Sequence, residues 1–252
     1  MNGVGLLADR RALVTGAANG IGLAITKAFE AEGATVAAVD REAFPGDLGR
    51  SVHPIEWDLS DTAALDDLAR AAEEEIGPID VLVNSAGIFE QMSAADLRLD
   101  AYRRVLAVNL DAPVFLTSRL AAGMSARGYG RVVNISSIQG RLAEELAMAY
   151  DVAKGGLEQA TRVFAVELAR HGVLVNAIAP GFVSTRMSIV DGENELESDA
   201  FSDVYIKYGK LPIRRYAMPA EVADHAAWLA SSRNTYVTGH TLTVDGGVTL
   251  TF

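Results

Sequence analysis

The chain is predicted to fold as a single α/β domain, with one doubly wound parallel sheet of about seven strands and helices on both faces. Three observations predict it. Short apolar runs rich in Val, Ile and Leu recur along the 252 residues, separated by Ala-rich stretches of helical period. Several runs are apolar on both faces, as expected of strands covered from two sides. The alternation continues over most of the length, with no internal repeat and no linker rich in Pro, Gly or Ser. Right-handed crossovers within one sheet are the simplest way to connect such a series.

Strands are expected at Arg11–Val14, Ala34–Val39, Val52–Trp57, Ile79–Val83, Arg131–Ile135, Val173–Ile178 and Thr241–Val244, and helices near 21–32, 61–76, 98–127, 149–171 and 219–231. In the first helix Ile21, Ala24, Ile25, Ala28 and Phe29 form a stripe at i, i+3, i+4, i+7 and i+8, and Gly33 is placed to stop it. Trp57 and Trp228 read as core. One region breaks the rhythm. Residues 182–216 are long, polar and carry the acidic run Asp191-Gly192-Glu193-Asn194-Glu195. A connection well beyond about 15 residues is more often a binding loop or lid than filler. The segment is read as a substrate lid; the competing reading is a surface insertion with short helices of its own.

Composition excludes several classes. Lys and Arg number 22 against 33 Asp and Glu, a net charge of −11, which repels phosphate backbones and anionic lipid and argues against nucleic-acid and membrane partners. No Cys is present, which removes disulfides, thiolate catalysis and Cys-ligated zinc. His53, His171, His225 and His240 are scattered, and the acidic run lacks a calcium-loop pattern, so no metal is expected. The first residues lack the features of a signal peptide, and no run approaches roughly 18 uninterrupted apolar residues. The expected location is cytoplasmic.

The first strand runs into Thr15-Gly16-Ala17-Ala18-Asn19-Gly20-Ile21-Gly22, which opens the first helix. Glycines at 16, 20 and 22 allow a tight turn and close approach of a pyrophosphate, and the helix N-terminus supplies unpaired N–H groups. Gly16, Asn19, Gly20, Ile21 and Gly22 are therefore candidate cofactor contacts. Asp40 ends the next strand, 18 residues past Gly22. A carboxylate there accepts hydrogen bonds from a ribose 2′-hydroxyl and repels a 2′-phosphate, which favours NAD over NADP. Arg41 beside it is a second candidate contact and pulls the other way, since a guanidinium pairs with phosphate.

At this point the sequence resembles the short-chain dehydrogenase/reductase family, almost end to end. The resemblance rests on Gly16-x3-Gly20-x-Gly22, Asn84-Ser85-Ala86-Gly87 (with Ser85 where the family has a second Asn), Asn109 in Val108-Asn109-Leu110, Ser136-Ser137, Tyr150-x3-Lys154 and Pro180-Gly181. It implies a Rossmann-type fold and a catalytic set of Asn109, Ser137, Tyr150 and Lys154. Tyr150 would exchange a proton with the substrate oxygen, and Ser137, rather than Ser136, would steady that oxygen. Lys154 would hold the nicotinamide ribose and tune Tyr150, and Asn109 would support a proton relay. It further implies cofactor contacts at Asp58 and Leu59 beside the adenine and at Asn84, Ala86 and Gly87 along the adenosine side. Pro180, Gly181, Val183 and Thr185 would meet the nicotinamide. Asp58 has a rival reading as a helix cap, although Ser60 and Asp61 suit that role better. The resemblance also implies a homotetramer.

The central pair can be argued from its chemistry. Tyr150 and Lys154 are four apart on one helical face. A phenol of pKa about 10 is a poor base, and a neighbouring ammonium lowers that value by favouring the phenolate. Ser137 sits at the carboxyl end of a strand, where open α/β sheets place ligands. Gly155 and Gly156 lie inside the same helix at a cost of about 1 kcal/mol each relative to Ala, and close helix packing is the expected compensation.

The substrate-facing candidates are Phe89, Glu90, Gln139, Arg141, Glu144 and Phe182. Their polarity suits a small polyhydroxylated substrate, such as a sugar, sugar acid or polyol; the competing reading makes Arg141 and Glu144 solvated loop charges. The expected reaction is NAD-dependent interconversion of a secondary alcohol and a ketone, or of a lactol and a lactone. Two other readings stay open: an NADP-dependent ketoreductase of acyl-carrier or polyketide type, which Asp40 opposes, and a scaffold that senses NAD without turnover.

Overall fold

In the computed structural model, which describes residues 5–46, 48–190 and 192–251, neighbouring side chains of the central strands go to opposite helical layers. In β1 (Arg11–Thr15), Val14 joins one apolar cluster and Leu13 the other. In β4 (Val81–Asn84), Val83 and Leu82 divide the same way. Strands apolar on both faces follow from this two-sided burial.

The remaining main strands are β2 (Thr35–Asp40), β3 (Val52–Glu56), β5 (Gly130–Ile135), β6 (Val173–Pro180) and β9 (Thr241–Val244); β7 (Ile189–Val190) and β8 (Glu193–Asn194) form a separate antiparallel pair. The main sheet has seven parallel strands in the order β3-β2-β1-β4-β5-β6-β9. One layer contains α1 (Gly20–Ala31) and α7 (Pro219–Ala230), with Ile25, Phe29, Val222 and Ala226 at its centre. The other contains α2 (Leu65–Ile76), α4 (Ala112–Arg127) and part of α5 (Met148–Leu168), centred on Leu68, Leu116, Met124 and Ala165. This is the doubly wound fold expected from the sequence. Trp57 packs at a margin, whereas Trp228 is 41% exposed, so the second tryptophan is not core.

The chain leaves β1 toward β2 and later crosses to β4 on β1's other side, so a crevice opens at the carboxyl ends of β1 and β4. A buried amide chain runs beneath it. Asn84 Nδ2 donates to Asn134 Oδ1 at 2.8 Å, and Asn134 Nδ2 donates to Thr161 Oγ1 at 2.9 Å.

The helix expected at 98–127 is α3 (Leu99–Leu106) running into α4 through a π-helical turn, Ala107–Asp111. Leu99–Arg127 is 29 residues long and apolar enough to cross a membrane by length and composition, but half of its most apolar stretch is buried inside the domain. Its π turn meets α5 where α5 has glycine. A Cβ at Gly156 would lie 3.0 Å from Leu110 Cδ2, and one at Gly155 would lie 3.3 Å from the Gly140 carbonyl. Close approach is thus the compensation for both glycines.

Residues 182–216 have the short elements of a surface insertion. They contain β7, β8, the short α6 (Asp199–Phe201) and a π turn over Ser202–Lys207. They also carry a small core of Leu196, Phe201 and Leu211, completed by Val248. Their ends are stapled together, with Ser184 N donating to Ala217 O and Ala217 N to Phe182 O, both at 2.9 Å. Asp191, the first residue of the acidic run, lies outside the described residues.

Candidate active site

The nucleotide turn is shaped by contacts only glycine permits. Gly16 has φ +68°, and a Cβ there would sit 2.7 Å from Ala86 Cα; a Cβ at Gly22 would sit 2.0 Å from the Gly16 carbonyl oxygen. Asn19 occupies the N-cap of α1 but makes no capping bond, its Nδ2 donating instead to Glu42 Oε2 at 3.1 Å. The first-turn N–H groups of α1 therefore face the crevice without a side-chain cap, which fits a phosphate-bearing cofactor. Ile21 packs against the α1 layer. Asp40 sits at the rim, accepting from Ala18 N at 3.0 Å and from Glu42 N at 3.1 Å. Arg41 is exposed, and its charge helps to lower the pKa of Asp58 after the larger effect of hydrogen bonds from Ser60.

Several expected cofactor contacts are placed differently. Asn84 is 2% exposed and spends its amide within the sheet, so its side chain does not line the adenosine side. Leu59 is buried in the apolar cluster under α2. The capping expectation for Asp61 also fails: Asp61 makes no capping bond, and Asp58 Oδ1 accepts from Ser60 N at 2.9 Å. Ala86 and Gly87 do border the crevice. Thr15 Oγ1 fastens that elbow by accepting from Ser85 N at 3.1 Å and Ala86 N at 3.2 Å. The sequence marks Thr15 only as the residue that opens the glycine turn. Pro180 closes β6, and Gly181, Val183 and Thr185 follow at the start of the 182–216 segment, with Thr185 Cγ2 3.3 Å from where a Gly20 Cβ would stand.

The four catalytic candidates converge at the same end of the sheet. Asn109 is fully buried within the π turn and grips the backbone of Ile88: its Oδ1 accepts from Ile88 N and its Nδ2 donates to Ile88 O, both at 2.9 Å. A Cβ at Gly87 would lie 3.7 Å from both Asn109 Oδ1 and Lys154 Nζ, which places the amide and the ammonium beside one point. Lys154 Nζ donates to the Ile135 carbonyl at 2.7 Å, at the end of β5. Ser137 acts on the Tyr150 phenol as a polar neighbour, opposing the rise in its pKa. Ser136 turns away, donating to the Lys154 carbonyl and to Glu158 Oε1, both at 3.4 Å. The two serines are thus separated as expected, one facing the crevice and one anchoring α5.

The electrostatics correct one expectation. Tyr150 is not lowered by Lys154. Burial pushes the phenol up to about 12; Ser137 opposes this, and the charges of Asp151 and Glu144 add to it. Lys154 Nζ lies 5.4 Å from the Tyr150 ring centroid, and burial lowers the amine to about 8.

On the substrate side, Phe89 meets the Tyr150 ring edge to face at 5.5 Å. Gln139 is half-buried, and its backbone N–H donates to Ser137 Oγ at 3.1 Å. Arg141 does not point at substrate: its Nε donates at 2.8 Å to Glu158, a carboxylate with only 2% side-chain exposure. Glu90 is held by a two-pronged bond from Arg104 at 2.7 and 2.9 Å. Phe182 packs with Phe201 and Tyr205 inside the 182–216 segment, at 5.0 and 4.5 Å. Glu144 stays exposed at the mouth, its pKa raised by burial and by Asp151 and Glu195. Among the described residues no three His, Asp or Glu side chains gather to hold a metal.

Comparison with known proteins agrees with this geometry. A protein-family model described as Enoyl-(Acyl carrier protein) reductase matches residues 16–249. Galactitol 2-dehydrogenase (L-tagatose-forming) of Cereibacter sphaeroides is 40% identical over 248 residues, covering 95% of this chain and 94% of its own. Gluconate 5-dehydrogenase of Gluconobacter oxydans is 33% identical over 252 residues, covering 97% and 96%. Among solved structures, a gluconate 5-dehydrogenase from Burkholderia cenocepacia J2315 in complex with NADP and tartrate superposes with a TM-score of 0.87 at 30% identity, covering 98% of this chain and 97% of that one.

Proposed function

This chain belongs to the short-chain dehydrogenase/reductase family, and from that premise we propose that it is an NAD-dependent dehydrogenase of a neutral polyol or sugar. It is an oxidoreductase of the NAD(P) type acting on a small molecule. The observation that carries the chemistry is the convergence of Tyr150, Lys154 and Asn109, with Ser137 beside the phenol, at the carboxyl end of the sheet.

When bound, the nicotinamide supplies or accepts the hydride. Tyr150 moves the proton at the substrate oxygen, and Ser137 donates a hydrogen bond to that oxygen as its charge develops. Lys154 supplies positive charge to the same corner, held in place by the Ile135 carbonyl. Asn109 keeps the 86–88 elbow in shape through Ile88.

NAD is favoured over NADP by the Asp40 carboxylate at the rim, which repels a 2′-phosphate. The NADP in the Burkholderia structure favours the other choice, so the comparison must be made on this chain. The substrate reading draws on the galactitol and gluconate relatives. Between a polyol and a sugar acid, the mouth favours the polyol: Glu144 and Asp151 raise the Tyr150 pKa by their charge, and Arg141 is committed to Glu158. Hydroxyls find acceptors there, whereas a carboxylate meets repulsion.

We assign the exposed Phe115 of α4 and Val152, Val163 and Val166 of α5 to contacts between subunits of a homotetramer. Light scattering on purified protein tests this, and a monomer would exclude it. The functional test is nicotinamide reduction with NAD and with NADP against galactitol, other polyols and gluconate. Turnover of a polyol with NAD supports the proposal. Preference for gluconate, or for NADP, replaces the corresponding half of it.

A further inference from the structure

The lid and the nucleotide turn are joined by an ion pair between residues far apart in the chain. Arg186, immediately after Thr185 at the lid root, donates from Nη2 to Glu42 Oε1 at 2.6 Å. The other Glu42 oxygen is taken by Asn19 of the nucleotide turn at 3.1 Å. Glu42 is itself set by the end of β2, its N–H donating to Asp40 Oδ1, while Asp40 Oδ2 accepts from Ala18 N. Three segments, the turn at 18–19, the β2 end at 40–42 and the lid root at 185–186, thus close into one network. It spans the outer side of the groove where α1 begins. A cavity of about 470 Å³ begins beside it at Asn19, Gly20 and Arg186 and runs along α1 to Lys27 and across to Met218 and Pro219.

The charges agree with the geometry. Arg186 lowers the pKa of Glu42, and Glu42 raises that of Arg186. Nothing in the hydride chemistry uses either residue, and Glu42 is not needed as a 2′-hydroxyl acceptor while Asp40 stands beside it.

We propose that Arg186 is a positioning residue: its pair with Glu42 straps the lid across the dinucleotide groove, so that lid position and cofactor retention are coupled through this contact. The inference rests on the dinucleotide reading of the groove given above. Cofactor exchange then requires the strap to open, and the lid is held at the adenosine end as well as by its own staple at Ala217.

The test is a double-mutant cycle with Glu42→Gln, Arg186→Gln, the double variant and the reversed pair Glu42→Arg/Arg186→Glu. One readout is NADH release by stopped-flow fluorescence. The other is hydrogen exchange of lid peptides covering 193–211 in cofactor-free protein. The pair is partly exposed, at 60% and 34% of the two side chains, so each single variant is expected to speed release about two- to five-fold. The double variant should do no more than either single, and the reversed pair should recover toward wild type. Lid exchange should rise in both singles. Additive effects in the cycle, or lid exchange unchanged in the singles, would overturn the strap. If the wild-type chain binds neither NADH nor NADPH, the dinucleotide reading fails instead, and the exchange comparison alone judges the tie between lid and turn.

Discussion

Asn109 holds Ile88 by both ends of its amide, accepting from the backbone N–H and donating to the backbone carbonyl at 2.9 Å each. This is a side chain standing in for a strand partner, and the π turn gives it the reach. The extra residue in Ala107–Asp111 sets Asn109 inward against the 86–88 elbow while α3 and α4 continue on either side.

Asn109→Leu keeps the branched outline and removes both bonds, leaving two part-buried backbone groups of Ile88 without their partner. The expected loss is roughly 2–4 kcal/mol in urea unfolding, with turnover falling at the same time. Unchanged stability would show that the elbow holds its shape without the amide.

Tyr150→Phe should reduce turnover by about 10²–10⁴ while leaving dinucleotide affinity within a few-fold of wild type. Ser137→Ala should fall in the same direction by less. Calorimetry and steady-state rates on the same preparations separate the enzyme from an NAD-sensing scaffold, for which Tyr150→Phe would change nothing measurable.

Lys154 gives a stability prediction with a definite sign. Its pKa is lowered to about 8 in the folded chain from 10.5. Below pH 8 both states are protonated, and the fold carries the full cost of a buried ammonium. Between 8 and 10.5 the folded protein sheds the proton first, so the cost shrinks and stability rises with pH. Relative to Lys154→Met, the wild type should gain about 2 kcal/mol between pH 7.5 and pH 10. An equal gap at both pH values, measured by denaturant titration, would contradict the lowered pKa.

Asp40→Ser should narrow the NAD-to-NADP affinity ratio by an order of magnitude or more, mostly by admitting NADP. The same substitution removes the acceptor for Ala18 N, so NAD affinity should fall as well. A ratio that does not move would transfer cofactor choice to Arg41.

The strands were legible because a run such as Leu13-Val14 is apolar whichever layer it faces, and two-sided burial needs no further information. The catalytic group was legible through spacing, since Tyr150 and Lys154 share a helical face and Ser137 ends a strand. What escaped depends on partners distant in sequence. Arg141 was read toward substrate because nothing local marks Glu158, one helix later, as the buried carboxylate that claims it. Asn84 lay within a recognisable motif, yet its inward turn is decided by Asn134, 50 residues on. A π turn has no periodic signature of its own, so 98–127 read as one uniform helix. The direction of the Tyr150 shift required knowing how deeply the phenol is buried, which a four-residue spacing does not contain.

Parallel strands apolar on both faces have little to tell one alignment from the next, because a slipped β4 still presents Val and Leu to both layers. Asn84 and Asn134 supply the missing distinction. They are directly paired across β4 and β5, and only in that alignment does the first amide meet the second and the second meet Thr161. A one-residue slip of β4 turns Asn84 toward the other layer, parts it from Asn134 and leaves its amide there unanswered. The polar chain under the crevice is therefore a proofreading device for strand pairing, and it acts on the two strands whose ends carry the 84–88 elbow and the Ser136–Ser137 corner.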